Sequence, residues 1–254
     1  MLLIRSLLFN IVGYTIIGTG CVFNSLLGIF SKKATIKTWN YFFIPSFVWS
    51  LKHIAGIKIE IRGQQYINQQ SGIYAGKHES ALETFVLTNY LKRASYVLKK
   101  ELVYIPFFGW AQAMYGMIPV NRSAGSAAMK DMLRRAKKIT EDCRPIIIFP
   151  EGTRKAPEQT PDYKPGVALL YQHLNLPVIP IATNTGFFWR RNSFMRYPGK
   201  VIFEFLPPIT CGLNKQDFME KLQTSLENKC HELNMETIKE YPQLRKMLSA
   251  DYKE

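Results

Sequence analysis

The chain has 254 residues, of which 47% are hydrophobic, and it carries a formal net charge of +14. This length is sufficient for one large domain, or for one domain with an appendage, and the apolar content supplies a full core, which excludes global disorder. The basic charge indicates an anionic partner, such as a membrane surface, a nucleic acid, or a phosphorylated or acidic substrate.

The first predicted element is an apolar segment, residues 1–55. No charged residue occurs between Ser6 and Ser31, and Arg5 and Lys32 flank the run. About 20 apolar residues span a bilayer, so the run is long enough to cross one. Its glycines and asparagines dilute the hydrophobicity, which leaves a re-entrant or interfacial hairpin as the alternative. A signal peptide is disfavoured because the run is too long and no small-residue cleavage site precedes Lys32.

Aromatic residues around Pro45 support membrane attachment of this segment. Aromatic side chains of this kind prefer the headgroup zone of a bilayer. The alternative is a hydrophobic helical pair that is buried against the rest of the protein. The aromatic residues are Trp39, Tyr41, Phe42, Phe43, Phe47 and Trp49.

Strands and helices alternate from residue 56 to residue 254, which predicts an α/β domain with a largely parallel mixed sheet flanked by helices. Residues 56–63 alternate apolar and polar side chains, and residues 145–149 form a continuous apolar run, typical of a half-exposed and a fully buried strand. The predicted strands are Gly56–Gly63, Gly72–Gly76, Tyr96–Lys99, Met117–Val120, Pro145–Phe149, Pro177–Thr183 and Val201–Leu206. The predicted helices are Ser80–Leu91, Pro106–Met114, Ser123–Asp142 (capped by Ser123 or Ser126), Gly166–Leu174 and a tail helix from Lys215.

His78 and Glu83 are candidates for acid–base chemistry. His78 follows a predicted strand, at the sheet edge where ligands bind in such folds. A histidine titrates near neutral pH, so it can take a proton from an alcohol and return one to a leaving group, and a carboxylate on its other ring nitrogen would fix its tautomer. Residues five apart on a straight helix do not share a face, so we expect His78 in the turn before the helix and Glu83 about one turn into it. The spacing alone is weak, because it arises by chance in many proteins.

Two further segments are candidates for one phosphate site. Arg122 ends the strand at residues 117–120, and an arginine at such a place can hold a phosphate bidentately. The run Phe149–Arg154 ends the buried strand, and Gly152 there permits an unusual backbone angle or a close ligand approach. An ordinary surface arginine and a solvated turn are the alternatives. The other groups of this run are an acceptor, a hydroxyl and a cation, supplied by Glu151, Thr153 and Arg154.

In order along the chain, these segments resemble the four signature blocks of the 1-acyl-sn-glycerol-3-phosphate acyltransferases, within the wider glycerolipid acyltransferases. The family pattern is H-x4-D, G-x5-R, F-P-E-G-T-R and a Pro-rich apolar strand. All four occur here between His78 and Pro180, and the third is complete. The departure is Glu83, where the family has Asp, which adds a methylene to the pair.

The resemblance implies transfer of a fatty acyl group from acyl-CoA or acyl-carrier protein to the sn-2 hydroxyl of lysophosphatidic acid, giving phosphatidic acid in phospholipid biosynthesis. It implies that His78 is the base and that Glu83 orients it. It also implies a membrane-associated enzyme whose site faces the cytoplasm, at the inner membrane if the protein is bacterial, and that needs no cofactor and no metal. The implied phosphate site consists of Arg122, Glu151, Gly152, Thr153 and Arg154.

Several alternatives remain open from the residues. The acceptor could be another lysophospholipid or glycerol-3-phosphate. A non-enzymatic basic membrane-binding protein would explain the charge but not the His78–Glu83 pair. Ser80 is disfavoured as a nucleophile because no G-x-S-x-G elbow surrounds it, and nucleic acid is disfavoured because no binding motif is visible. The four cysteines form no C-x-x-C pair, which argues against zinc and disulfides and predicts reduced, mostly buried thiols.

One more stretch, residues 186–197, interleaves aromatic residues with arginines. This composition suits contact with membrane headgroups, with the phosphates of CoA or with an acidic carrier protein. The alternative is a packed, irregular loop.

Overall fold

The computed structural model describes residues 1–67, 72–121, 124–159 and 162–248. Its seven strands are β1 (Ile57–Arg62), β2 (Ile73–Gly76), β3 (Ser95–Lys99), β4 (Ile118–Val120), β5 (Ile146–Ile148), β6 (Val178–Thr183) and β7 (Gly199–Phe205). They form one sheet in the order β1-β7-β6-β2-β5-β3-β4. Strands β2 to β6 run parallel to one another, β7 is antiparallel to β6, and β1 is parallel to β7. The predicted α/β class and the largely parallel mixed sheet are confirmed.

Helices flank the sheet and precede it along the chain. They are α1 (Leu2–Phe30), α2 (Lys32–Thr38), α3 (Ile44–Ser50), α4 (Leu82–Tyr90), α5 (Phe108–Tyr115), α6 (Gly125–Glu141), α7 (Gly166–Leu174) and α8 (Lys215–Glu240). Two π-helical turns, Trp39–Phe43 and Leu51–Ala55, continue α2 and α3. Helix α6 begins after Ala124 without a side-chain cap, so Ser126 does not cap it, and Ser123 lies outside the described residues.

The central strands bury side chains on both faces, which explains their continuous apolar sequences. On one face, Ile73 of β2 and Ile146 of β5 pack in a core with residues of α6, α7 and α8. On the other face, Tyr74 and Ile147, each the next residue of the same strands, pack in a core with residues of α1, α3, α4 and α5. The sheet therefore lies between two layers of helices, and this packing fixes the position of the carboxyl ends of its strands.

Helix α1 lies along the α/β domain and is tied to it at both ends. Near its start, Arg5 Nε donates a hydrogen bond to the Ile54 carbonyl at 2.9 Å, and Asn10 Nδ2 donates to the Phe194 carbonyl at 3.0 Å. Near its end, Ser25 Oγ donates to the Phe107 carbonyl at 2.7 Å. Among the described helices, α1 alone is long and apolar enough to cross a bilayer. These hydrogen bonds hold α1 against the rest of the protein.

The aromatic side chains of the segment that follows α1 lie partly in the interior and partly at the surface. Half of the aromatic side chains around Pro45 are buried in the core, and the other half are exposed. The exposed aromatic residues are Tyr41, Phe42 and Trp49.

The four cysteines also differ in exposure. Cys21 and Cys230 are buried, whereas Cys143 and Cys211 are exposed, so the prediction of mostly buried thiols is wrong for two of the four.

Candidate active site

Three neighbouring parallel strands deliver the candidate groups to one edge of the sheet. Strand β2 ends at Gly76, and His78 lies in the turn that follows, before α4 begins at Leu82. Strands β5 and β6 lie on either side of β2, so the turns after all three meet at the carboxyl edge. A side chain at Gly76 would place its Cβ 3.2 Å from the Phe149 ring, so this glycine leaves room for that ring.

His78 and Glu83 meet as the sequence predicted. His78 Nδ1 lies 2.8 Å from Glu83 Oε2. The other carboxylate oxygen, Oε1, accepts hydrogen bonds from the backbone N–H groups of Ser80 at 2.7 Å and Glu79 at 3.1 Å, and from the Thr185 hydroxyl. Glu83 is buried, and both of its carboxylate oxygens have hydrogen-bond partners. Sequence reasoning missed Thr185, because this residue follows the last of the four blocks, which ends at Pro180.

The His78 ring stacks on Phe149 and faces a cavity. The two ring centroids are 4.1 Å apart and the planes are inclined by 13°. The His78 side chain is 18% exposed and lines a cavity of about 440 Å³. Since Glu83 occupies Nδ1, Nε2 is the nitrogen that remains for a substrate.

The cavity has the size and the lining of a small-ligand site. Sites of this kind measure about 300–1,000 Å³ and combine apolar walls with a few polar groups. Here the polar groups beside His78 include Lys99, Gly152, Thr153 and Arg191. Sequence reasoning missed Lys99. The apolar wall includes Trp39, Ile44, Phe85, Leu98, Phe108 and Met117.

The Phe149–Arg154 turn is bound to the His78 turn. Gly152 has a φ of +69°, which agrees with the predicted need for glycine. Glu151 Oε1 accepts the His78 backbone N–H at 2.9 Å, and the Lys155 N–H donates to the His78 carbonyl at 2.8 Å. Gly152 and Thr153 line the cavity.

The other three predicted phosphate ligands are Glu151, Arg154 and Arg122. Glu151 is buried behind His78 instead of facing the cavity, so its placement disagrees with the prediction; a carboxylate at the phosphate would also repel it. Arg154 is half-buried, and within the described ranges no carboxylate lies within salt-bridge distance of its guanidinium. Arg122 lies outside the described residues.

A buried ionic cluster supports the site from behind. Lys77 Nζ lies 2.8 Å from both carboxylate oxygens of Glu227 in α8 and 3.8 Å from Glu151 Oε1, and the Tyr163 hydroxyl donates to Glu227 at 2.8 Å. Burial by itself lowers the pKa of Lys77, but Glu151 and Glu227 raise it above its usual value, so the amine stays charged. Burial raises the pKa of Glu151 to about 7.

Glu79, next to His78, is fully buried and only partly paired. Its Oε2 accepts the Gly186 N–H at 2.8 Å, whereas Oε1 has no hydrogen-bond partner among the described residues. Burial raises the pKa of this carboxyl to about 8, so it is protonated at neutral pH. A side chain at Gly186 would strike Pro157 at 2.8 Å, so the glycine permits this close approach.

The stretch of residues 186–197 is largely a packed loop in which three aromatic residues are buried, whereas Phe194 is exposed. Phe187, Phe188 and Trp189 are buried, and the buried guanidinium of Arg196 lies 4.1 Å over the Trp189 ring. The Arg196 backbone N–H donates to Ser6 Oγ at 2.9 Å, which joins this loop to α1.

With this geometry in view, the chain can be compared with known proteins. The family model described as Acyltransferase matches residues 58–184, which is half of the chain. The chain belongs to the acyltransferase family. This confirms the resemblance that the four sequence blocks predicted, and the family match contains His78, Glu83 and the Phe149–Arg154 turn.

Relatives within the family agree. The chain is 36% identical to a 1-acyl-sn-glycerol-3-phosphate acyltransferase of Pseudomonas aeruginosa over 66% of its own length and 64% of that protein, so it spans less than two thirds of this relative. It is 29% identical to the enzyme of the same name from Haemophilus influenzae over 87% of this chain and 91% of the other. The fold matches the crystal structure of the 1-acyl-sn-glycerophosphate acyltransferase of Thermotoga maritima with a TM-score of 0.70 at 20% identity, covering 92% of this chain and 98% of that one.

Proposed function

We propose that this protein transfers a fatty acyl group from acyl-CoA or acyl-carrier protein to the sn-2 hydroxyl of 1-acyl-glycerol-3-phosphate, giving phosphatidic acid for phospholipid synthesis. The observation that carries the proposal is the 2.8 Å contact between His78 Nδ1 and Glu83 beside a cavity of about 440 Å³. The names of the relatives from P. aeruginosa and H. influenzae support this choice of acceptor.

The chemistry follows from the free ring nitrogen. His78 Nε2 takes the proton of the acceptor hydroxyl while the oxygen attacks the thioester carbonyl carbon. The C–O bond forms, the C–S bond breaks, and the imidazolium returns the proton to the departing thiolate. Glu83 stabilises the imidazolium and holds its tautomer. A positioned base of this kind contributes roughly 10²–10⁴-fold in rate.

The cavity lining contains groups that suit both parts of such substrates. Its aromatic and aliphatic side chains provide an apolar wall for an acyl chain, and Gly152 and Thr153, with Arg154 beside them, provide donors for the acceptor phosphate. By the family resemblance, Arg122 joins them. The thioester is already activated, so the proposed reaction needs no cofactor and no metal.

Membrane association is the second part of the proposal, with residues 1–55 as the membrane-associated segment and residues 56–254 as the catalytic domain. The outward face of α1 exposes apolar side chains near both of its ends, and apolar side chains of this kind on a basic protein suit the surface of an anionic bilayer. We infer that the site faces the cytoplasm. The exposed side chains of α1 include Leu3, Ile4, Leu7, Leu8, Ile11, Phe23, Leu26 and Ile29.

The deciding experiment is product analysis by mass spectrometry. Purified protein in detergent is given a panel of lysolipids, glycerol-3-phosphate and both donor types. We expect phosphatidic acid as the main product from lysophosphatidic acid, and we expect His78→Ala to abolish it without unfolding the protein. The matched control is His173→Ala, because His173 is exposed and its Nδ1 contacts only a carbonyl of its own helix, 3.1 Å away. If none of the acceptors gives a product, the alternative of a non-enzymatic membrane-binding protein is favoured. Near-normal turnover by His78→Ala would show that His78 is not the base.

A further inference from the structure

Arg191 lies at the active-site cavity although it belongs to none of the four sequence blocks. The chain leaves β6, makes a turn at residues 185–187 and buries Phe188 and Trp189 before it emerges at the cavity. Arg191 lines this cavity together with His78, Gly152 and Thr153. It therefore shares one space with the base and with the turn that we propose for phosphate.

The loop around Arg191 is hydrogen-bonded on both sides of this residue. Arg191 Nη1 lies 3.4 Å from the Arg154 carbonyl and donates to it, which joins the loop to the Phe149–Arg154 turn. Five residues further on, Arg196 is buried, and its Nη1 donates to the Ser193 carbonyl at 2.7 Å. A guanidinium on a rigid loop loses less conformational entropy on binding than one on a mobile loop.

The charge of Arg191 is not neutralised within the protein. In the part of the chain that the structure describes, no carboxylate lies within 4.0 Å of its guanidinium, whereas Arg62 is paired with Glu60 and Glu236. One nitrogen of Arg191 is used on a neutral carbonyl, and the others remain for a ligand. An arginine of this kind beside Gly152 and Thr153 matches a phosphomonoester, which it can bind through two parallel hydrogen bonds.

The neighbouring residue, Arg190, lies in different surroundings from Arg191. Arg190 is half-buried, does not line the cavity, and has a nitrogen 3.9 Å from the sulfur of Met247 near the end of the chain. The two adjacent arginines thus differ in position, and only Arg191 lines the cavity that His78 also lines. Arg190 is therefore the natural control for Arg191.

We propose that Arg191 binds the phosphate of the acyl acceptor and makes the site select a phosphomonoester over a phosphodiester or an uncharged headgroup. This rests on the acyl-transfer function proposed above. CoA also carries a phosphomonoester, so the experiment separates the two substrates. We assign the acceptor because Arg191 is bound to the backbone of Arg154, in the turn proposed for the acceptor phosphate.

The test compares Arg191→Gln with Arg190→Gln by steady-state kinetics. For Arg191→Gln we expect the apparent KM for lysophosphatidic acid to rise about 10-fold, since a charge-assisted hydrogen bond is lost. We expect kcat and the KM for acyl-CoA to stay within about twofold of the wild type, because neither His78 nor Glu83 is touched. Arg190→Gln should leave all three values unchanged. Thermal unfolding of each variant checks that the loop remains folded.

A second measurement tests selectivity itself. The ratio of kcat/KM for lysophosphatidic acid to that for lysophosphatidylglycerol, a phosphodiester, should fall about 10-fold in Arg191→Gln and recover partly in Arg191→Lys, which keeps the charge but loses the planar fork. An unchanged ratio, or a rise only in the KM for acyl-CoA, overturns the assignment to the acceptor. If the wild-type protein transfers no acyl group at all, the proposed function is wrong. If the wild type is active and the Arg191→Gln variant has the same kinetic constants, only the role of Arg191 is wrong.

Discussion

Glu83 contacts His78 with one carboxylate oxygen and anchors itself to the protein with the other. Oε2 lies 2.8 Å from His78 Nδ1, and Oε1 accepts the Ser80 N–H at 2.7 Å and the Thr185 hydroxyl. The resemblance places an aspartate here, so the extra methylene of Glu83 must be accommodated. The structure accommodates it by letting the longer side chain reach the turn after β6, where Thr185 meets it.

This arrangement predicts different losses for two substitutions. In Glu83→Asp the carboxylate withdraws by about one carbon–carbon bond and cannot hold His78 and Thr185 together, so we expect kcat to fall about 10- to 100-fold. Glu83→Gln keeps the length but loses the charge that stabilises the imidazolium, so we expect a fall of roughly 10²–10⁴-fold. Single-turnover acyl transfer measures both. Near-normal turnover by Glu83→Gln would contradict the role of Glu83, and Thr185→Val, which removes one anchor, should lose less than either.

The pKa of Glu79 predicts a pH-dependent stability. Burial raises this pKa to about 8 from its ordinary value of 4.5, so the folded protein holds a proton that the unfolded chain releases. The stabilisation is complete below about pH 4.5 and is lost as the pH rises through 8. Glu79→Gln keeps an acceptor for the Gly186 N–H and carries no titrating group, so we expect it to raise the unfolding temperature at pH 8.5 much more than at pH 5.

Thermal unfolding at a series of pH values checks this expectation. The control is the same substitution at Glu220, an exposed glutamate of α8. Glu151 titrates in the same direction near pH 7, so Glu79→Gln should flatten the pH dependence without abolishing it. An identical shift at pH 5 and pH 8.5 would show that Glu79 is not held protonated.

The Lys77–Glu227 pair predicts strong coupling between the active-site turn and α8. Lys77→Met leaves Glu227 and Glu151 without their buried cation, and the loss of a buried partner costs about 3–5 kcal/mol. Glu227→Gln should cost less, because its side chain is 25% exposed and Tyr163 can still donate to the amide oxygen. The double variant should be more stable than the sum of the two losses allows, since Glu227 then carries no unpaired charge and only Glu151 still lacks its cation. Denaturant unfolding of the four proteins measures the coupling, and strictly additive losses would contradict it.

These relationships also show what could be predicted from the sequence. The central strands were predictable because both of their faces are buried, and the His78–Glu83 contact was predictable because the two residues are close along the chain. Thr185 lies 102 residues from Glu83, and Glu227 lies 150 residues from Lys77. Such contacts depend on the strand order, which places β6 beside β2. The inward direction of Glu151 was also hidden, because a turn after a proline can present its side chains to either side.

The glycines of α1 predict how tightly this helix is docked. A Cβ at Gly20 would lie 2.8 Å from the Phe43 ring and 3.0 Å from Trp39, both buried, whereas a Cβ at Gly18 would meet nothing within 4 Å. Replacing a helical glycine by alanine stabilises the helix by about 1 kcal/mol when the methyl group has space. We therefore expect Gly18→Ala to raise the unfolding temperature. We expect Gly20→Ala to lower it, because the rings of a packed core must move.

The two variants have opposite expected signs, so each serves as the control for the other in one thermal unfolding experiment in detergent. The change in both is one methyl group on the same helix, two residues apart, so helix propensity contributes equally to both. Equal stabilisation by both substitutions would mean that α1 is not packed on Phe43 in solution.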